Sequence, residues 1–186
     1  MKRFITAAVL ALAVACAQAA SRAEEMSRYM QISDYPAQVE KLLKSGNAST
    51  ALELAEIGLK KNDKSAQLRF QRAVALERLG RTDEAVEALK WLIDAYPEIP
   101  EPYNNLAVIE AARGDLESAE KHLQKVLLIN PEFALARKNL GDVYLALALE
   151  CYEKSAPAFS RNKDVQQRLR SLRRLNGVEV EDGSAE

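Results

Sequence analysis

The 186-residue sequence has a single histidine and two cysteines, Cys16 and Cys151, so it offers almost nothing from which to build a metal cluster or a disulfide framework. Neither sign of charge dominates, with 26 Lys and Arg against 27 Asp and Glu, so no global excess marks a nucleic-acid binder. What is abundant is hydrophobic content, at 48%, mixed with 28% charged residues. That balance excludes general disorder and a multi-spanning membrane protein, and it fits one domain or a short repeat array.

The first 19 residues read as a signal peptide. Lys2 and Arg3 precede an apolar run from Phe4 to Ala15, and Ala17-Gln18-Ala19 supplies the small-residue pattern at which such segments are cut. The run is about a dozen residues, short of the roughly 20 that a membrane-crossing helix needs. A competing reading takes Ala13-Val14-Ala15-Cys16 as a lipoprotein signal with Cys16 acylated, although Ala13 stands where leucine is usual. Residues 20–34 form a linker. Export after Ala19 leaves Cys151 as the one cysteine, read as a small buried apolar residue in a helix.

A period of 34 residues organises the middle of the chain: Gly46, Gly80 and Gly114 keep that spacing, and Ala51, Ala85 and Ala119 follow each glycine by five positions. Pro97 and Pro131 keep step with the later alanines. Each unit reads as two helices. In the second, an amphipathic stretch over 66–79 is closed by Gly80, and Thr82 caps a helix running to about Ala95 with Ala85, Leu89, Leu92 and Tyr96 on one face. Pro97 stops it. The third unit repeats the plan from Pro100. Alanines at the crossing positions let the two helices approach closely, where a larger side chain would push them apart.

These residues resemble the tetratricopeptide repeat family. The likeness rests on Arg72-Ala73, Gly80, Ala85, Leu89, Leu92 and Pro97, then on Tyr103, Leu106-Ala107, Gly114, Ala119, Leu123 and Pro131, with Asn139 to Tyr144 opening a fourth unit in the same style. It implies an all-α fold, a tetratricopeptide-type α-solenoid of three to four helical hairpins. The repeats fall at about 35–65, 66–99, 100–133 and a degenerate 134–160. The blocks Pro97 to Val108 and Asn139 to Tyr144 also resemble short exported proteobacterial repeat proteins.

Two departures from the pattern shape the expectations at the ends. The first unit has Gly58 inside its second helix and Asp63 where proline stands later, which predicts a weaker, more mobile end. In the fourth unit Ala148 follows Tyr144 with no glycine turn, so one long helix is expected from about Glu132 to Ala156, stopped by Pro157. Asn162 to Asp164 then caps a terminal helix over 164–176 whose stripe of Val165, Leu169, Leu172 and Leu175 closes the array. Residues 178–186 form an acidic tail, expected to be disordered.

No nucleophile elbow, phosphate-cradling loop or zinc-protease motif occurs, so an enzyme with an unrecognised site is a rival reading without a specific residue behind it. His122 reads as a solvated helix-surface residue, and Trp91 and Tyr96 as packing aromatics. No cofactor or metal is implied. The family resemblance places a partner-binding groove on the first helix of each unit: Phe70, Val74 and Glu77, then Asn104, Asn105, Val108 and Ala111, then Lys138, Asn139, Asp142 and Leu145. Asparagines there either hold the backbone of an extended peptide or bridge neighbouring helices. Phe70 and Val74 stand where lysine and asparagine would be required for the terminal-carboxylate clamp of some relatives. The stretch 161–175, with six basic residues and one acid, offers either a solvated face or contact with an anionic partner such as phospholipid head groups. The expected role is a non-catalytic periplasmic adaptor that binds a peptide or helix of another bacterial envelope protein, without nucleic acid. The alternative is an outer-membrane lipoprotein of an envelope-assembly or pilus-biogenesis complex.

Overall fold

The computed structural model describes residues 22–178, and the regular elements among them are all helical. The segment read as a signal peptide, with Cys16, and the tail beyond Val178 lie outside the described residues. The chain divides into two compact units, Met1–Glu98 and Ile99–Glu186.

The N-terminal unit contains α1 (Tyr35–Lys44), α2 (Ala48–Lys61), α3 (Ala66–Arg78) and α4 (Thr82–Ala95), preceded by a helical turn at 22–27 and a 3-10 turn at Ile32–Asp34. On α1, Tyr35, Val39, Leu42 and Leu43 fall at i, i+4, i+7 and i+8, and all four are buried. The helix ends because Gly46 takes a φ of +78° and two backbone bonds, Gly46 N–H to Leu43 C=O and Asn47 N–H to Leu42 C=O, satisfy the loose carbonyls. The same pair of bonds recurs at Gly80 and Gly114, which gives the 34-residue period its physical meaning.

Within this unit Ala51, Ala55, Ala73 and Ala85 are buried where helices cross, and Leu54, Leu68, Leu76, Leu89 and Leu92 fill the core between them. Gly58, one of the two grounds for expecting a weak first hairpin, has a packing role. A Cβ there would lie 2.8 Å from Cδ1 of Tyr35 and 2.9 Å from Cδ1 of Leu68, so the glycine marks a tight helix contact. The α4 start is also corrected: Thr82 is its first helical residue, and Arg81 occupies the cap position without a side-chain cap bond.

The C-terminal unit contains α5 (Pro100–Ala112), α6 (Leu116–Ile129), α7 (Ala134–Ser155) and α8 (Lys163–Leu175). Proline in the first turn of α5 needs no hydrogen-bond donor there. Asp115 caps α6 by accepting from Ser118 N–H at 3.2 Å. Hydrogen bonding from the Ser118 side chain, then from its backbone, holds the Asp115 carboxyl below the usual carboxylate range. Tyr103, Leu106, Ala107 and Ile109 of α5 pack with Ala119, Leu123 and Val126 of α6, all buried.

The long helix expected from about Glu132 is α7, 22 residues with only Ala136 and Val143 buried. Cys151 lies on it and is exposed, against the buried role expected of it: α8 meets this stretch through Arg173 at Glu153 and Asn176 at Leu145 but leaves Cys151 uncovered. The terminal helix is α8, capped by Asn162, whose side-chain oxygen accepts from Asp164 and Val165 N–H at 3.1 and 3.2 Å. Leu169 is its buried residue, and Asn176 at its end donates to Leu145 C=O of α7 at 3.3 Å. Among the described residues no helix is long and apolar enough to cross a membrane.

Candidate functional site

In the C-terminal unit α5 and α7 border a cleft of about 330 Å³. Ala107, Val108 and Ala111 line it from α5, Lys138, Asn139, Asp142, Val143 and Ala146 from α7, and Leu116 and Leu123 from α6. The spacing of Lys138, Asn139, Asp142 and Ala146 on one helix, at i, i+1, i+4 and i+8, puts them on a shared face. Ala107, Leu123 and Val143 are buried, whereas Val108 is 46% exposed, a large apolar side chain left facing water. At the rim Lys138 Nζ donates to Asp142 Oδ2 at 2.6 Å, and both side chains are well exposed. Such a pair contributes at most about 1 kcal/mol to stability and is free to exchange its partner.

A chain of amides joins the two first helices. Asn139 Nδ2 donates to Asn104 Oδ1 at 3.1 Å, and Asn104 Nδ2 donates to Asn105 Oδ1 at 3.3 Å. Asn104 is only 3% exposed, so of the two roles open to it the structure gives it the bridging one. The chain leaves the Asn139 carbonyl oxygen without a partner among the described residues, and Asn139 lines the cleft. An amide oxygen of a cleft-lining residue can accept from a backbone N–H of a bound segment.

The structure thus brings Val108, Ala111, Lys138, Asn139 and Asp142 together in one cleft. Asn104 is buried and Asn105 half-buried outside its lining, and Leu145 of α7 is also outside it, its backbone carbonyl accepting from Asn176 just past the end of α8. Phe70, Val74 and Glu77 belong to the N-terminal unit, on one face of α3 at i, i+4 and i+7, the first two half-buried and the third exposed.

Several groups were not legible from the sequence. His122 is not a solvated surface residue: its Nδ1 lies 2.7 Å from Glu110 Oε2, and its ring tilts against Tyr103 with centroids 6.0 Å apart. These residues are 12 and 19 positions apart, beyond any local pattern. Trp91 packs against the Arg69 guanidinium, 4.1 Å from its ring centroid, and Tyr96, edge-on at 6.1 Å, yet remains 44% exposed. On α8, Arg168 pairs with Asp164 at 2.9 Å and Arg173 with Glu153 at 3.0 Å, while Arg170 and Arg174 are exposed.

Comparison with known proteins gives a consistent answer. The tetratricopeptide repeat family profile matches residues 37–98 and 70–129, together half of the chain. Among solved structures, a thermophilic tetratricopeptide repeat protein of Thermus thermophilus superposes with a TM-score of 0.59 at 22% identity, covering 79% of this chain and 84% of its own. The first tetratricopeptide domain of human RPAP3 gives 0.58 at 22% identity, covering 63% and 92%. The first such domain of Spaghetti (RPAP3), solved bound to the HSP90 peptide SRMEEVD, gives 0.58 at 22% identity, covering 63% and 93%. At that identity the likeness is one of fold. No curated protein matches the chain.

Proposed function

The chain belongs to the tetratricopeptide repeat family, a fold that binds other proteins, and from that premise we propose an exported adaptor that holds a peptide or helix of another cell-envelope protein in the cleft between α5 and α7. The observation that carries this reading is the pairing, in one concavity, of the water-exposed Val108 with the unpartnered Asn139 carbonyl. Val108, Ala111 and Ala146 receive apolar side chains of the ligand, Asn139 holds its backbone, and the Lys138–Asp142 pair adjusts to its charges. The peptide held by the Spaghetti domain supports uptake of a peptide by this fold. No catalytic step is assigned, and the role is that of a scaffold. Periplasmic placement rests on Lys2, Arg3, the apolar run and Ala17-Gln18-Ala19.

The test is crosslinking capture from the native envelope with wild type and with a Val108→Asp, Asn139→Ala double variant. A defined partner should be lost at least tenfold in the variant while helicity, read by circular dichroism, is unchanged. Undiminished capture by the variant sinks the cleft as the site. The intact mass of the same exported protein should match cleavage after Ala19; a lipid adduct on Cys16 would make it the lipoprotein instead.

A further inference from the structure

The N-terminal unit carries a second concavity, away from the side chains that the family resemblance assigns to binding. It is a cleft of about 270 Å³ lined by Leu59 of α2, Arg69 and Arg72 of α3, and Ala88 and Trp91 of α4. Here the exposure of Trp91 has a structural counterpart. Its ring forms one wall and holds the Arg69 guanidinium against it at 4.1 Å, a cation–π contact that limits the side chain's freedom before any ligand arrives.

The two arginines are oriented but not saturated. Arg69 donates through Nε to Asp63 C=O at 2.9 Å, and Arg72 through Nε to Glu56 Oε1 at 3.1 Å. A guanidinium has five N–H donors, so the terminal nitrogens of both are left without partners among the described residues. Glu56 offsets one of the two charges, and the nearby Glu84 is engaged by Arg81 at 2.6 Å, which leaves the cleft cationic. A planar fork held at Nε presents its outer N–H groups in the geometry that carboxylates accept.

Size narrows the ligand. Pockets for whole small molecules run from about 300 to 1,000 Å³, so about 270 Å³ suits one group the size of a single side chain. Leu59, Ala88 and Trp91 supply apolar contact for such a group beside the two guanidinium groups. We propose that this cleft is a binding site for a carboxylate carried on an apolar group of about side-chain size, independent of the cleft between α5 and α7.

Trp91 is the only tryptophan in the chain, so intrinsic tryptophan emission reports on this site alone. The full chain is titrated with 4-methylpentanoate, with its neutral amide, with acetate, and with the capped tripeptide acetyl-Leu-Glu-Leu-amide. A saturable change in emission is expected with 4-methylpentanoate or the tripeptide, with at least tenfold weaker binding for the neutral amide and for acetate. Tighter binding of the free acid identifies a small-molecule source, and tighter binding of the tripeptide a protein source. Arg69→Gln and Arg72→Gln should each weaken the response at least tenfold with unchanged helicity, and Arg69→Lys, which keeps the charge but not the fork, should fail to restore it. Equal response to the acid and its amide, or no saturable change with either carboxylate probe at 10 mM on the order-of-magnitude scale of weak single-group ligands, overturns the site.

Discussion

The hairpin α5–α6 and the helix α7 begin from the same repeat plan and end differently. Gly114 turns the chain after α5 with a φ of +83°, and its neighbours' N–H groups close the last carbonyls. Where the 34-residue period would place the next glycine stands Ala148, and α7 runs through it for about two further turns to Ser155. A side chain forced into the left-handed region costs about 1–2 kcal/mol, whereas extending an existing helix adds a backbone bond for each residue fixed. The alanine therefore continues the helix. In packing, α6 lies folded back on α5 with Ala119, Leu123 and Val126 buried, while α7 buries two residues out of 22 and leaves Cys151 in solvent. What the two regions teach is that a glycine matters through its surroundings, by the conformation or the contact it permits.

That lesson can be broken at three glycines. The largest effect is expected at Gly58, inside α2, where a methyl group would press on the fully buried Tyr35 ring at 2.8 Å and on Leu68 at 2.9 Å. Gly58→Ala should lose about 1–3 kcal/mol to overpacking, offset in part by the roughly 0.5–1 kcal/mol that alanine gains over glycine in a helix, with a net lower urea midpoint. An unchanged midpoint would mean that this contact yields and that the glycine is incidental. Next is Gly114, where open space surrounds the Cβ position but φ is positive. Gly114→Ala should lose about 1–2 kcal/mol by conformation alone. A loss there as small as at an ordinary helix position would remove the turn glycine from the explanation of α7. Smallest, and opposite in sign, is Gly141 in α7, which has helical backbone and nothing within 4 Å of a built Cβ. Gly141→Ala should raise stability by about 0.5–1 kcal/mol, the helix-propensity difference, measured by the same denaturation curve. Destabilisation would reveal a close neighbour on that face.

Much of the fold was legible because its signals are local. Gly46, Gly80 and Gly114 each terminate a helix through bonds to residues three and five positions back, and Asn162 caps α8 through the residues two and three positions on. A pattern read along a few residues captures such interactions whole. Half of the candidate cleft was legible for a related reason: Val108, Ala111, Lys138, Asn139 and Asp142 hold repeat positions whose facing is set by helical phase. The misreadings came where the deciding neighbour is distant along the chain. Gly58 looked like a defect until Tyr35 and Leu68 were seen against it. His122 looked solvated because nothing adjacent announces Glu110, and the Arg69 partner and the exposure of Trp91 depend on how α3 and α4 meet.

The sequence alone determined where helices start and stop, their repeat of 34 and the continuous α7, since backbone conformation at glycine, proline and capping residues depends on short-range sterics and hydrogen bonds. Tertiary structure alone decided which side chains lose their water: that Asn104 is consumed as a bridge, that Asn139 keeps a free carbonyl, and that two arginines and a tryptophan wall a cleft. Burial and orientation are set by what a neighbouring helix brings alongside, and that depends on contacts between residues far apart in the chain.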